Sequence, residues 1–230
     1  ELQQQMQLLK TSRASLAALM AQRDSAVQAA MDVVALREEN ARLRELLDLG
    51  RRITQRHVAA EVLHQSEPTD GLTMLLTAGS DQGVKALDPV LTPSGLLGVI
   101  RSVTARRSVA LLWTHPDFRV SVMTPDGSVF GIVAPHGATG PNTMMMELTG
   151  VPYREIVPPG TPLYTSGFGG VYPRGIPIGW VTAVAEERAG WARTYVVRPA
   201  VHPASVRHVM ILLDVPSDLS AAYPRRDSTP

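Results

Sequence analysis

Residues 164–179 read Tyr164-Thr165-Ser166-Gly167-Phe168-Gly169-Gly170-Val171-Tyr172-Pro173-Arg174-Gly175-Ile176-Pro177-Ile178-Gly179 and lead straight into Trp180-Val181-Thr182-Ala183-Val184. Five glycines and two prolines in this run rule out a helix across it. Glycine permits positive φ and close backbone approach, while proline fixes φ and removes a donor. With strand-like flanks, the run reads as a shaped turn between two strands. A phosphate-binding loop would need Gly-Lys-(Ser/Thr) opening a helix, and a dinucleotide turn needs a strand–helix context. This run opens a strand, which speaks against nucleotide binding.

From residue 57 onward the whole chain follows the same grammar. Twelve short apolar or alternating runs, the first at 57–65 and the last at 209–214, are separated by turn signals such as Pro93-Ser94-Gly95 and Thr124-Pro125-Asp126-Gly127. Short strands without intervening helices predict a sandwich or barrel class, not a parallel α/β sheet. Residues 1–53 are different. They contain no proline, and no glycine before Gly50, and are rich in Ala, Leu, Arg, Glu and Gln, which predicts one long helix.

The end of that helix carries a heptad frame, with Val33, Asn40 and Leu47 at position a and Leu36 and Leu43 at d. A buried Asn at a favours a parallel dimer in one register, because the two amides can pair only there. Asp32 and Glu39 fall at g, and Arg37 and Arg44 at the following e positions, which would pair Asp32 with Arg37 and Glu39 with Arg44 across such a dimer. The alternative is an amphipathic helix packed on its own β domain, with Asn40 exposed.

The glycine–proline run resembles the Thr-Ser-Gly-x-Gly-Gly-x-(Tyr/Phe)-Pro-x-Gly-(Ile/Leu)-Pro-(Ile/Val)-Gly signature of the MreC family, the rod shape-determining proteins of bacteria. Thr165, Ser166, Gly167, Gly169, Gly170, Tyr172, Pro173, Gly175, Ile176, Pro177, Ile178 and Gly179 occupy its fixed positions, with Phe168 at a variable one. Glu39-Asn40-Ala41-Arg42-Leu43-Arg44-Glu45-Leu46-Leu47 is similar to the family's segment before its β region. Gly79-Ser80-Asp81-Gln82-Gly83-Val84, Gly95-Leu96-Leu97-Gly98-Val99-Ile100 and Val197-Arg198-Pro199-Ala200 resemble further family steps. The resemblance implies a mainly β fold, in which a long N-terminal coiled-coil helix precedes two small β-barrel domains. The corresponding division is a helix over 1–53, a first barrel over 57–105 that could recruit late strands up to 214, a second barrel region over 106–215, and a disordered tail over 216–230.

Signals for catalysis are weak. Ser166 sits among glycines as a protease nucleophile might, and His57 and Asp117 could be nominated beside it, but the Gly-Asp-Ser-Gly-Gly context is missing. The bland expectation is that the Thr165 and Ser166 hydroxyls satisfy backbone groups of the turn. None of the six histidines has His-x-His or His-Glu-x-x-His spacing, and there is no cysteine, so neither metal nor cofactor is expected. A formal net charge of +1 gives no pull toward nucleic acid. Met144, Met145 and Met146 are expected to pack at least one side chain in the core. Phe168 and Tyr172 are either exposed anchors for a protein contact or caps on a barrel end.

The resemblance further implies a non-enzymatic scaffold of the cell-wall elongation machinery. Its partners would be a second copy of itself, as a dimer or a filament, peptidoglycan synthases of the penicillin-binding and SEDS classes, and MreB- and MreD-type proteins. It would sit at the cell membrane through an N-terminal span absent from these residues, with its bulk outside the cytoplasm. About 50 helical residues would reach roughly 75 Å. A periplasmic adaptor of a transport system is the alternative, although such adaptors usually carry a helical hairpin.

Overall fold

A computed structural model of the chain describes residues 2–53, 55–63, 71–137, 144–188, 191–214, 219, 222 and 223. Gln65, at the end of the first expected strand, and most of the expected tail, including Arg225, Arg226 and Asp227, lie outside them. The chain divides into two compact units, Glu1–Glu45 and Leu46–Pro230.

The long proline-free stretch forms helix α1 over Leu2–Arg52, closing with Arg51 and Arg52 where positive charge suits the helix C-terminus. Within the second unit, the last turns of α1 bury Leu46, Leu49 and Ile53, whose i, i+3, i+7 spacing makes one face. Leu49 is fully buried, and a side chain at Gly50 would already press on His57 and Met210.

Twelve strands follow: β1 (His57–Leu63), β2 (Thr73–Leu76), β3 (Pro89–Thr92), β4 (Gly95–Val103), β5 (Ser108–Leu112), β6 (Val120–Met123), β7 (Phe130–Pro135), β8 (Met146–Pro152), β9 (Pro162–Thr165), β10 (Pro177–Arg188), β11 (Ala192–Pro199) and β12 (His208–Leu212). They close into two antiparallel six-stranded barrels, ordered β1-β12-β3-β4-β5-β2 and β10-β11-β8-β7-β6-β9. Closure gives every strand a paired neighbour on both sides, although β10 beyond Val181 pairs in register with β11 alone. Register shifts in β4 against β5 and twice in β10 against β11 supply the bends that small barrels need.

The second barrel is an insertion between β5 and β12 of the first. The expected boundary at 105/106 is therefore corrected. It falls between β4 and β5, yet β5 pairs with both β4 and β2, and the chain crosses to the second barrel only between Leu112 and Val120. Alternation along β12 shows how the barrels share their cores. Val209 and Ile211 face the interior of the first barrel, whereas Met210 and Leu212 join a second buried cluster with Leu49, Trp113, Phe118 and the core of the second barrel.

The expectation of a disordered tail is corrected at the three of its residues that are described. Leu219, Ala222 and Tyr223 are buried in that second cluster, because their apolar side chains find an uncovered seam between the barrels. Of the methionine run, Met146 opens β8 and is buried as expected, whereas Met144 lies in the turn before the strand and is exposed.

Candidate interaction site

Thr165, at the end of β9, organises the glycine–proline run. It is fully buried, its hydroxyl donates to the Pro173 carbonyl, and it accepts from the Ile176 N–H at 2.9 Å. Its backbone N–H bonds the Ile176 carbonyl and its carbonyl accepts from Gly175, both at 2.9 Å. Ser166 is also buried. Its N–H donates to the Ser121 carbonyl at 2.9 Å, and its hydroxyl oxygen accepts the Phe168 N–H at 3.3 Å. Both hydroxyls thus serve the turn. The nominated partners of a serine nucleophile are engaged elsewhere, His57 Nδ1 with the Gln55 carbonyl and Asp117 with His115.

The turn exposes its apex, 168–170, and Arg174. Gly167, Gly169 and Gly170 adopt φ of 84°, 90° and 71°, a backbone that L side chains rarely take, and between them Phe168 is 64% exposed. Tyr172 does not share that exposure, which corrects its candidacy as a partner anchor. It is buried against Phe118, ring centroids 6.0 Å apart, and burial pushes its phenol well above the ordinary range. Pro173, Gly175 and Gly179 are likewise buried, and Pro177 half-buried, so these signature residues build the turn and are not its contact surface.

The exposed Phe168 ring lies on Phe130 of β7, with centroids 5.3 Å apart. Phe130 faces Met123 of β6, which faces Tyr164 of β9, so one row of paired positions runs across three strands on the barrel's outer side. Met123 and Tyr164 are buried beneath, while Phe130 and, two residues on, Ile132 remain 40% and 47% exposed. Phe130, Ile132 and Phe168 form an exposed apolar patch; Ser121 and Thr149, both uncharged, are the strand partners of Ile132. Sequence reasoning missed Phe130 and Ile132. Their signal was the run Val129-Phe130-Gly131-Ile132-Val133-Ala134, apolar at every position, half of which must point out of a small barrel.

The helix carries a second exposed apolar stripe. Val33, Leu36, Leu43 and Leu47 are 45%, 69%, 37% and 66% exposed, and Asn40 is exposed between them. Asp32, Arg37 and Arg44 flank it in the open and Glu39 is half-buried. Within the single chain Asp32 accepts from Gln28 at 3.1 Å. Leu46 and Leu47 part company: the first is buried and the second belongs to the stripe. Among the described residues no group of three or more His, Asp and Glu could hold a metal ion, and no helix is long and apolar enough to cross a membrane. The arrangement offers apolar surfaces, and no nucleophile with an aligned base.

Comparison with known proteins agrees with these features. The profile of the family described as "Rod shape-determining protein MreC, barrel core" matches residues 62–213. The cell shape-determining protein MreC of Listeria monocytogenes is 30% identical over 185 residues, which are 79% of this chain and 62% of that protein. The chain thus spans less than two thirds of that relative's length. A solved structure of MreC from Listeria monocytogenes superposes with a TM-score of 0.63 at 28% identity, covering 91% of this chain and 98% of that one. The MreC in a solved complex between Penicillin-Binding Protein (PBP2) and MreC from Helicobacter pylori gives 0.53 at 14% identity, covering 69% and 99%, a likeness of fold. Because the profile runs from the end of β1 through β12 and takes in both barrels and the turn at 165–179, the chain belongs to the MreC family of rod shape-determining proteins.

Proposed function

We propose that this chain is a non-enzymatic scaffold of the bacterial cell-wall elongation machinery, which pairs through α1 and offers its second barrel to a peptidoglycan synthase of the penicillin-binding class. The observation that carries the reading is the patch of Phe130, Ile132 and Phe168, three exposed apolar side chains held on the barrel that bears the family's signature. A cluster of two Phe rings and an Ile on a rigid barrel is the composition expected of a protein-contact centre. The Helicobacter pylori complex of PBP2 with MreC supports a synthase as the occupant. MreB- and MreD-type proteins and SEDS synthases as further partners, filament formation, and attachment to the cell membrane complete the proposal, with the resemblance to the family as their support.

The test is direct binding of the purified chain to the extracytoplasmic part of a penicillin-binding transpeptidase from the same bacterium. Phe168→Ser combined with Ile132→Asn is expected to weaken binding by about tenfold to a hundredfold, as loss of two hot-spot side chains does. Both side chains are largely in solvent, so the melting temperature should stay within a few degrees of the parent. Unchanged affinity in a folded double variant would remove the patch from the interface.

Pairing through α1 has its own test, and the burial of Leu46, Leu49 and Ile53 dictates its design. A chain beginning at Glu45 keeps these three side chains on the barrels, whereas one beginning at His57 strips them away. Light scattering should give a dimer for residues 1–230 and a folded monomer for residues 45–230. The chain from His57 should melt earlier than the chain from Glu45, since burying three aliphatic side chains contributes several kcal/mol, on the order of 1.5–3 each. A monomer for residues 1–230 would sink the role of Asn40 and its stripe.

A further inference from the structure

The seam between the two barrels holds a segment that the family profile does not reach. The profile ends at residue 213, yet Leu219, Ala222 and Tyr223 are 3%, 1% and 4% exposed. The Ala222 N–H donates to the Leu219 carbonyl at 3.0 Å, which holds the three close together. Two hydrogen bonds dock these residues, one to each barrel. The Leu219 N–H donates to the carbonyl of Arg174 in the signature turn at 2.6 Å. The Tyr223 hydroxyl donates to the carbonyl of Thr92, at the end of β3, at 2.8 Å in a buried setting. Burial drives this phenol far above its ordinary range, and Arg52 at the end of α1 pulls the other way.

We propose that the barrel seam is a peptide-binding groove, specific for Leu, Ala and Tyr at the spacing Leu-x-x-Ala-Tyr, and that its resident ligands are the chain's own Leu219, Ala222 and Tyr223. The groove has the parts such a site needs. It has an apolar floor shared with Leu91, Leu96, Trp113 and Phe118, and a backbone acceptor at each end. A buried carbonyl without a donor is costly, so the Tyr223 hydroxyl is recognised as well as packed. Because one acceptor belongs to each barrel, the occupied groove ties the signature turn of the second barrel to the β3–β4 hairpin of the first. The segment therefore acts as a clasp on the angle between them.

The experiment uses a chain ending at Asp214 and a synthetic peptide of residues 215–226 carrying a fluorophore. The truncated chain is expected to bind the peptide one to one. The full chain, whose groove is filled, is expected to bind it at least about tenfold more weakly, and a peptide with Tyr223→Ala should lose a similar factor. A truncated chain that melts cooperatively and leaves the peptide free, or equal binding by the full and truncated chains, would overturn the proposal. Hydrogen exchange on the full chain decides the matter independently if the truncated form does not fold. The Leu219 and Ala222 amides should be protected, and Tyr223→Ala should expose them while the amides of β12 stay protected. Unprotected amides at both positions in the parent chain overturn it.

Discussion

Trp113→Ala is expected to cost about 3–5 kcal/mol, among the largest losses a single truncation can produce in this chain. Trp113 is 1% exposed and lies just after β5, where the chain leaves the first barrel. Its indole Nε1–H donates at 2.9 Å to the carbonyl of Val201, just after β11, where the chain returns. One side chain thus fills the seam and fastens both crossings. Truncation removes the apolar volume, leaves a cavity with little room to collapse, and strands the Val201 carbonyl. Trp113→Phe separates the two contributions: most of the packing stays, and the lost hydrogen bond should cost about 1–3 kcal/mol. Urea titration followed by far-ultraviolet dichroism measures both. If Trp113→Ala also splits a single transition in two, the barrels have been uncoupled as well as weakened. A Trp113→Ala chain with the parent's midpoint would show that the seam is not held here.

Local periodicity made the elements legible, and closure hid their partners. The proline-free stretch gave α1, and most apolar runs gave strands close to their observed limits, while the run expected at 144–148 became β8 over Met146–Pro152. Which strands share a barrel is a non-local matter. β5 and β12 look alike to either barrel in sequence, and only pairing with β4, β2, β1 and β3 decides where they belong. The same divide runs through the candidate site. In sequence Phe168 and Tyr172 stood equally between anchor and cap; the structure exposes Phe168 at a glycine-rich apex with no volume around it to bury a ring. Tyr172 is buried, and the ring that covers it, Phe118, comes from the crossing between barrels. Leu219, Ala222 and Tyr223 were hidden for another reason: three apolar residues in a polar, proline-flanked stretch set up no period. Leu46 and Leu47 are adjacent and chemically identical, and only the packed barrel assigns one to the core and the other to the exposed stripe.

Gly95→Ala should be of comparable severity, and the reason lies between the barrels. Gly95 opens β4 at φ 149°, and an added Cβ would stand 2.3 Å from the carbonyl oxygen of Pro177, the residue that opens β10 in the other barrel. No real Cβ tolerates that distance, and the obstacle is backbone, which cannot rotate away. Either the barrels part at this point or the strand end shifts, at a cost of several kcal/mol. Gly127→Ala is the matched control. It sits at φ 71° with open space around the added Cβ, so only the conformational strain of about 1–2 kcal/mol remains. Thermal melts of the two variants side by side should show Gly95→Ala losing clearly more. Equal losses would mean that the close approach of the barrels carries no energy. The comparison also gives a physical meaning to two motifs far apart in sequence. Gly95-Leu96-Leu97-Gly98 and Gly175-Ile176-Pro177-Ile178-Gly179 meet backbone to backbone at the seam, so the small residue in one motif is demanded by the carbonyl in the other.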